Sequence, residues 1–330
     1  MTKIINSAEE LLSAGEIIKN GGLVVFPTET VYGLGADGLN EEAVKKIFKA
    51  KGRPSDNPLI LHVSNIQMAE KIGEISPVAR KLMEKFWPGP LTVIVKKKDI
   101  VPNSVTAGLD TVAIRMPKHP IAKELIMHAN TPVAAPSANL SGKPSPTAFC
   151  HAFEDMNGRV DAIIDGGESD IGIESTVIDT TSVPPMILRP GGITEEMIKE
   201  VISDIMTEEH KKEGSEGYIP KSPGMKYKHY APDAKVILYT TDEKLKEDLK
   251  SFRAEGKKVG LFKSEEYTLS ADVDIVWGKD TKDLAKSLFY SLRKFDELGA
   301  DVILCPLPEK KGIWQGVYNR LYKSAGFDIR

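Results

Sequence analysis

Short apolar runs of strand length recur through the first two hundred residues, and segments with helical periodicity separate several of them. The runs lie at residues 23–28, 59–63, 91–95, 111–116, 132–137, 162–167, 175–180 and 186–191. Residues 41–51 place apolar side chains three and four positions apart, which predicts a helix with one apolar face. The alternation of the two patterns predicts an α/β fold. Since no helical pattern separates 91–95 from 111–116, we expect a mixed sheet rather than an all-parallel one.

A change of composition divides the chain. Residues 207–233 are rich in Gly, Pro, Lys and Glu and hold almost no aliphatic side chains, which is typical of a linker. Strand and helix patterns then alternate again, which predicts a small Rossmann-like domain. We therefore predict a first domain over 1–206, a linker over 207–234 and a second domain over 235–330. The second domain lacks a GxGxxG motif, so no dinucleotide site is predicted there.

Composition narrows the classes of function. The formal net charge of −3 argues against broad electrostatic binding to nucleic acid, although it leaves room for a local basic cavity. The two cysteines, Cys150 and Cys305, lie far apart in sequence, which indicates a reducing compartment rather than a disulfide framework. No apolar run approaches the ~20 residues that span a bilayer, and the N-terminus lacks a signal-peptide pattern. We expect a cytoplasmic protein.

The loop after residues 41–51 carries two cations. Lys51 and Arg53 stand two positions apart, and Asn57 follows between two prolines that stiffen the loop. His62 lies in the next strand run. Cations and an amide that a stiff loop presents at a strand edge suit a phosphate group. The alternative is that both cations are solvated and interact only with the end of the helix dipole.

Two further stretches place hydroxyl groups and small residues next to strand ends. FPTETVYGLGAD (26–37) holds Thr30 close to two glycines, and VAAPSANLSGKPSPT (133–147) leads from a strand into Ser137 and Asn139. Such residues allow the backbone to approach a ligand closely. The alternatives are a turn capped by threonines for the first stretch and an ordinary surface loop for the second.

Two arginines interrupt apolar strand runs. Arg115 lies in AIRMP and Arg189 in LRPGG, while Ser175 begins ESTV. An arginine inside a strand needs either the solvent face or an anion. Each arginine alone fits the solvent face, but together with Lys51 and Arg53 the pair favours a shared anionic ligand.

Several well-known catalytic motifs are absent. The sequence has no GxxxxGK[ST] phosphate loop, no GxSxG nucleophile elbow and no Cys or His cluster with metal-ligand spacing. The residues therefore predict an α/β enzyme with a cationic, hydroxyl-lined cavity for a polyanion and without a covalent nucleophile. The linker stretch SPGMKYKHYAPD (222–233) holds aromatic side chains that a simple spacer does not need, so we expect it to lie against another part of the protein.

Taken together, these motifs resemble the threonylcarbamoyl-AMP synthase family. The matching stretches are PTETVYGLG (27–35), KGRPSDNPL (51–59), SAN (137–139), STV (175–177), LRPG (188–191), PGMKYKHYAP (223–232) and GIWQGVYNRLYKSAG (312–326). Their order covers almost the whole chain and is similar to the two-domain form of the family. The resemblance implies a twisted mixed sheet of the YrdC type with a concave cavity, followed by a small Rossmann-like domain. It also implies synthesis of threonylcarbamoyl-AMP and pyrophosphate from L-threonine, bicarbonate and ATP, for the t6A modification at position 37 of tRNA.

The resemblance further implies roles for individual residues. The catalytic residues would be Lys51, Arg53, Ser137 and Asn139. ATP would be bound by Arg53, Asn57, Thr111, Ser137, Asn139, Ser145 and Arg189, with His229 and Tyr230 of the linker covering the nucleotide. L-Threonine would be surrounded by Thr30, His62, Arg115, Ala135 and Ser175, with Arg115 taking its carboxylate as a bidentate partner. Mg²⁺ would accompany ATP and be held mainly by its phosphates, and a separate tRNA threonylcarbamoyltransferase machinery would use the product.

Two other classes of function compete with this interpretation. A YrdC-like domain could act as an RNA-binding module, although the net charge of −3 and the lack of interleaved exposed aromatics disfavour direct tRNA binding. A carbamoyltransferase of the hydrogenase-maturation type uses a related domain, but it would need zinc-finger and acylphosphatase segments that this sequence lacks.

Overall fold

A computed structural model describes residues 1–52, 54–55, 57–207, 230–308, 310 and 312–330. The described chain forms two compact units. The first comprises Met1–Ser141, Pro146–Asp170 and the described residues from Glu174 to 207. The second comprises Gly142–Ser145, Ile171–Ile173 and the described residues from 230 onward. Most of the predicted linker, including His229, lies outside the described residues, as does Arg53.

The first unit is built on one large mixed sheet, which confirms the predicted fold class. Its elements are β1 (Lys3–Ile5), α1 (Leu11–Lys19), β2 (Val24–Phe26), β3 (Gly33–Asp37), α2 (Glu41–Lys51), β4 (Ile60–His62), α3 (Ile66–Ile72), β5 (Gly73–Glu74), α4 (Pro77–Phe86), β6 (Leu91–Lys97), α5 (Asn103–Thr106), β7 (Thr111–Arg115), α6 (Pro120–Ala129), β8 (Val133–Ala134), α7 (Phe149–Met156), β9 (Ala162–Ile164), β10 (Thr176–Asp179), β11 (Met186–Arg189), α8 (Glu195–Lys199) and β12 (Met206–Thr207). The strand order is β1-β9-β2-β3-β8-β4-β7-β6-β10-β11-β12, with β5 paired to β6. Strands β6 and β7 pair antiparallel, so the sheet is mixed as expected, although the short helix α5 lies between them and the sequence analysis expected no helix there.

Helices cover both faces of this sheet. Adjacent residues of one strand point to opposite faces. Val24 of β2 belongs to the apolar cluster that includes residues of helices α1 and α6, whereas Val25 belongs to the cluster that includes residues of helices α2, α3 and α4. Helix α2 starts at its cap Asn40, whose side chain accepts hydrogen bonds from two backbone N–H groups of the first turn. Near β4, β6, β7 and β10, the α1/α6 face carries only a small apolar cluster around Ile60 and Ala113. The candidate residues His62, Thr111, Arg115 and Arg189 lie on this face, because each pairs with a member of that cluster or stands two positions from one along its strand.

The turn capped by threonine, which was one alternative for residues 26–37, is present where the Thr28 hydroxyl bonds the backbone of Thr30 and Val31. Strand β3, which follows this turn, is not predicted by the sequence pattern. It is a buried strand that pairs antiparallel with both β2 and β8. A side chain at Gly35 would lie 2.8 Å from the ring of Phe26 and 2.9 Å from Val133. The glycine is therefore needed for packing between strands. Because most residues of β3 are small, its sequence lacks the apolar pattern that predicts a strand.

The second unit has a four-stranded parallel sheet. Its elements are β13 (Lys235–Tyr239), α9 (Asp242–Ala254), β14 (Val259–Lys263), β15 (Val273–Val276), α10 (Thr281–Glu297), β16 (Val302–Pro306) and α11 (Trp314–Ser324). The strand order is β13-β16-β14-β15, and the three adjacent pairs are all parallel. This arrangement agrees with the predicted Rossmann-like pattern. Among the helices of both units that the structure describes, none is long and apolar enough to cross a membrane.

Candidate active site on the face of the mixed sheet

One transverse row of the mixed sheet collects candidate residues from strands far apart in sequence. His62 of β4 pairs with Arg115 of β7, and Arg115 pairs in turn with Thr92 of β6. Thr92 pairs with Val177 of β10, which pairs with Arg189 of β11. Residues that pair directly across neighbouring strands point to the same face. The row therefore presents an imidazole, two guanidinium groups and a hydroxyl on one surface.

Arg115 is buried and interacts with three groups of its own chain. Its Nη2 lies 2.7 Å from Oε1 of Glu29, and both side chains are only 4% exposed. Its Nη1 donates to the Thr30 hydroxyl at 2.9 Å, and its Nε donates to the Gly89 carbonyl at 3.3 Å. Glu29 thus places an anion of the chain itself beside this arginine, whereas the predicted anionic ligand stays a prediction. Glu29 stands beside Thr30 in PTETVYGLG and is not among the predicted site residues.

His62 stands beside this ion pair as a neutral imidazole. Burial lowers the pKa of His62 from 6.5 to about 3, and the charge of Arg115 acts in the same direction. Its Nδ1 is buried and has no hydrogen-bond partner among the described residues. The ring of Phe26 meets the imidazole edge-on, with centroids 6.1 Å apart. An uncharged ring with a free nitrogen is suited to accept or donate one hydrogen bond to a ligand.

Arg189 and Ser175 form a second polar group near the end of the row. The Arg189 Nη2 donates to the Ser175 hydroxyl at 3.1 Å, and its Nε donates to the Ser175 carbonyl at the same distance. The Ser175 hydroxyl also lies 2.7 Å from the Thr92 hydroxyl. These contacts therefore link Arg189 and Ser175, which the sequence predicts as site residues, to Thr92, which it does not. Thr92 has no sequence signal of its own, because a threonine in LTVIV is typical of any strand.

Lys51, Ser137 and Asn139 also come together. Lys51 ends helix α2, and its buried Nζ donates to the backbone carbonyls of Ser137 and Asn139 at 2.5 and 2.6 Å. The Ser137 hydroxyl donates to the Asn139 side-chain oxygen. Lys51 thus connects the end of helix α2 to the loop of residues 137–139, a contact that the sequence does not predict. Its predicted role toward ATP stays a prediction.

The remaining candidates differ in where they lie. Asn57 is completely buried, and neither amide atom has a hydrogen-bond partner among the described residues. Thr111 is buried at the start of β7, and the Ala135 backbone N–H donates to the Ile60 carbonyl at 3.0 Å. An orphaned buried amide is costly, so Asn57 is a group that a ligand would satisfy.

Two predicted ATP contacts belong to the second unit. Ser145 lies in the short segment 142–145, which Arg293 holds through hydrogen bonds to the Pro144 carbonyl at 2.6 and 3.2 Å. Tyr230 is buried and stacks on Phe289, with ring centroids 5.1 Å apart. The predicted cover of the nucleotide by His229 and Tyr230 stays a prediction, and His229 lies outside the described residues.

The second unit has a cavity of about 560 Å³ at the carboxyl ends of its strands. Its lining includes Tyr267, Trp277 and three carboxylates, one of which belongs to the exposed Glu266. The other two are already occupied: Asp242 accepts a hydrogen bond from Tyr267, and Asp280 caps helix α10. Among the described residues, Asn57 and His62 of the first unit have buried polar atoms without a hydrogen-bond partner, whereas the residues that line this cavity have none.

The described residues contain no group of three or more His, Cys, Asp or Glu side chains that could hold a metal ion. The site instead combines buried cations, hydroxyls and a neutral imidazole on the face of a mixed α/β sheet, with no activated nucleophile among the residues of the row. These features define an enzyme that binds an anionic substrate and supplies position and charge rather than a covalent intermediate.

Comparison with known proteins identifies the family. The Sua5/YciO/YrdC family, described as "Telomere recombination", matches residues 16–191, and the "Threonylcarbamoyl-AMP synthase, C-terminal domain" matches residues 193–326. The threonylcarbamoyl-AMP synthase of Pyrococcus abyssi is 48% identical over 100% of this chain and 99% of its own length. That of Bacillus subtilis is 45% identical over 96% of this chain and 93% of its own.

A solved structure gives the same result. The crystal structure of P. abyssi Sua5 complexed with L-threonine matches with a TM-score of 0.94 and 46% identity, over 100% of this chain and 98% of that one. The chain therefore belongs to the threonylcarbamoyl-AMP synthase family, in its two-domain form. This confirms the resemblance found in the sequence.

Proposed function

We propose that this protein is an enzyme that makes threonylcarbamoyl-AMP and pyrophosphate from L-threonine, bicarbonate and ATP. Similarity to curated synthases over the whole chain supports the proposal, as does the likeness to a Sua5 structure solved with L-threonine. In this chain, the observation that carries it is Arg115, a buried guanidinium flanked by the Thr30 hydroxyl and a neutral imidazole. An RNA-binding module would not need these groups below the surface.

The chemistry explains why no protein nucleophile is needed. The amine of threonine forms a nitrogen–carbon bond to bicarbonate, and water leaves to give a carbamate. A carbamate oxygen then attacks the α-phosphorus of ATP, and the bond from that phosphorus to the leaving pyrophosphate oxygen breaks. The protein must bring the reactants together and stabilise negative charge as it moves.

We assign the threonine site to the row and its surroundings. Arg115 would bind the carboxylate, because a guanidinium matches a carboxylate with two parallel hydrogen bonds. His62 offers a free nitrogen for a second hydrogen bond. The other residues proposed to surround threonine are Thr30, Ala135 and Ser175.

We assign ATP to the groups around the SAN loop and the far end of the row. The free amide of Asn57 supports this assignment, because a bound nucleotide would provide the missing partners. The other residues proposed for ATP are Lys51, Arg53, Thr111, Ser137, Asn139, Ser145, Arg189, His229 and Tyr230. Of these, Lys51, Arg53, Ser137 and Asn139 are the proposed catalytic residues.

Mg²⁺ is proposed as the companion of ATP. Because the described residues hold no cluster of metal-binding side chains, the protein would contribute few ligands and the phosphates would contribute most. The ion would neutralise part of the triphosphate charge. The product would then pass to a separate tRNA threonylcarbamoyltransferase machinery for t6A modification, and direct binding of tRNA by this acidic chain would be weak.

Pyrophosphate release tests the function. Purified protein with ATP, bicarbonate and Mg²⁺ should release pyrophosphate when L-threonine is added and not when it is omitted. Arg115→Lys keeps a cation beside Glu29 but removes the planar fork, so the KM for threonine should rise on the order of 10–100-fold, the worth of one hydrogen bond between charged groups.

The control variant is Arg80→Lys, which alters a half-exposed arginine paired with Glu70 on the surface. It should leave the kinetics unchanged. Pyrophosphate release that does not depend on threonine would contradict the proposed function. Threonine-dependent release with an unchanged KM in Arg115→Lys would instead show that the amino acid binds elsewhere.

A further inference from the structure

We propose that Glu29 is the partner of the substrate's α-ammonium group and positions the threonine nitrogen for carbamate formation. The inference rests on the proposed function and adds a residue to it. Glu29 lies between Thr28 and Thr30, and its carboxylate faces the guanidinium of Arg115, which is proposed to bind the other end of the same substrate.

The first argument is charge balance. Arg115 and Glu29 together carry one positive and one negative charge in a buried site. L-Threonine enters as a zwitterion, with the same two charges separated by one carbon atom. If Arg115 alone bound the substrate, its guanidinium would face two carboxylates and the ammonium would have no anionic partner. With Glu29 as that partner, each charge of the substrate meets its opposite.

The second argument is the cost of the pair. Burying two charges carries a desolvation penalty that their attraction often fails to offset, so a buried ion pair is weak support for stability. Glu29 and Arg115 are separated by 86 residues in sequence and are both almost fully shielded from solvent. A role in binding a charged substrate accounts for their retention where stability does not.

The third argument concerns the neighbouring groups. The Thr28 hydroxyl already donates to the Val31 carbonyl and accepts from two backbone N–H groups of its own turn. His62 is neutral and offers one nitrogen without charge. Glu29 therefore supplies the negative charge that these two neighbours lack.

Glu29 acts by position rather than as the base. Although burial by itself would raise the pKa of Glu29, the charge and hydrogen bonding of Arg115 hold it below its usual value. The carboxylate stays ionised at neutral pH, so it accepts hydrogen bonds from the substrate nitrogen without keeping a proton. It can orient the nitrogen as ammonium and, after the ammonium has released a proton to water, as amine.

The test separates positioning from a purely structural role. Glu29→Gln is nearly isosteric and removes the charge. We expect the KM for L-threonine to rise on the order of 10–100-fold, as for the loss of a hydrogen bond between charged groups, while the KM for ATP stays within twofold. Glu29→Asp keeps the charge one methylene shorter and should restore part of the affinity. Glu74→Gln, which changes an exposed residue of strand β5, is the matched control.

A substrate analogue provides the second measurement. (R)-3-Hydroxybutanoate has the carboxylate, hydroxyl and methyl of threonine but no ammonium, so its inhibition constant should change less than threefold in Glu29→Gln. An unchanged KM for threonine in Glu29→Gln would overturn the proposal. An equal loss of affinity for threonine, ATP and the analogue would overturn it as well. If the analogue inhibits neither the wild type nor Glu29→Gln, the change in the KM for threonine compared with the change in the KM for ATP tests the proposal. Threonine-dependent pyrophosphate release by the wild type tests the proposed function separately.

Discussion

The buried His62 predicts a measurable dependence of stability on pH. Its pKa is near 6.5 in an unfolded chain and about 3 in the folded protein. The unfolded state therefore takes up a proton as the pH falls below 6.5, whereas the folded state does not. Stability from the neutral imidazole is complete above pH 6.5 and decreases as the pH falls from there toward 3. Between pH 7.5 and pH 5, this linkage amounts to about 2 kcal/mol.

The variant His62→Gln isolates this contribution. Its free energy of unfolding should fall by about 2 kcal/mol less than that of the wild type between pH 7.5 and pH 5. Burial also lowers the pKa of His119, but that residue is present in both proteins and cancels in the difference. The lowered pKa of Glu29 acts below this range, so pH 5 avoids it.

Urea unfolding at the two pH values provides the assay. Replacing Trp277 and Trp314 by Phe in both proteins leaves Trp87 as the fluorescent reporter of the first unit. His128→Gln, which removes a partly exposed histidine from helix α6, is the control and should keep the wild-type decrease. If wild type and His62→Gln lose the same free energy within about 0.5 kcal/mol, His62 is not held neutral by burial and the reasoning fails.

Two further predictions concern packing near the site. Asn57→Ala removes two buried polar atoms that lack partners among the described residues. The free energy of unfolding should therefore stay within about 1 kcal/mol of the wild-type value, while the KM for ATP rises at least roughly tenfold. A decrease of about 3 kcal/mol in the free energy of unfolding would show that the amide stabilises the fold. Gly191→Ala would place a methyl group 2.5 Å from backbone atoms of Glu174 and Thr176. Thermal unfolding should therefore show a destabilisation of about 1–3 kcal/mol, and the turnover per folded molecule should fall. Gly167→Ala has open space around it and a φ of +72°, so it should cost about 1–2 kcal/mol and retain turnover; equal turnover in the two variants would contradict the argument.

The comparison of sequence and structure is instructive at particular elements. Helix α2 begins and ends where the sequence pattern places it, because it has an apolar face and a polar N-cap, Asn40. The short strand β3 was missed, since its glycines are required by the ring of Phe26 in a neighbouring strand. A sequence pattern predicts a helix or strand only when the side chains of that helix or strand have the apolar periodicity of its type.

The candidate site divides in the same way. The sequence alone determined that arginines interrupt apolar strands and that hydroxyls follow strand ends, since these choices are visible residue by residue. Only the tertiary structure decided that Glu29 meets Arg115, that Thr92 joins Ser175, and that Asn57 has no hydrogen-bond partner among the residues that the structure describes. The reason is strand order: β4 lies beside β7, and β6 lies beside β10, although other strands separate each of these pairs in the chain. Which side chains share a row depends on pairing across long sequence separations, and no single stretch of sequence encodes it.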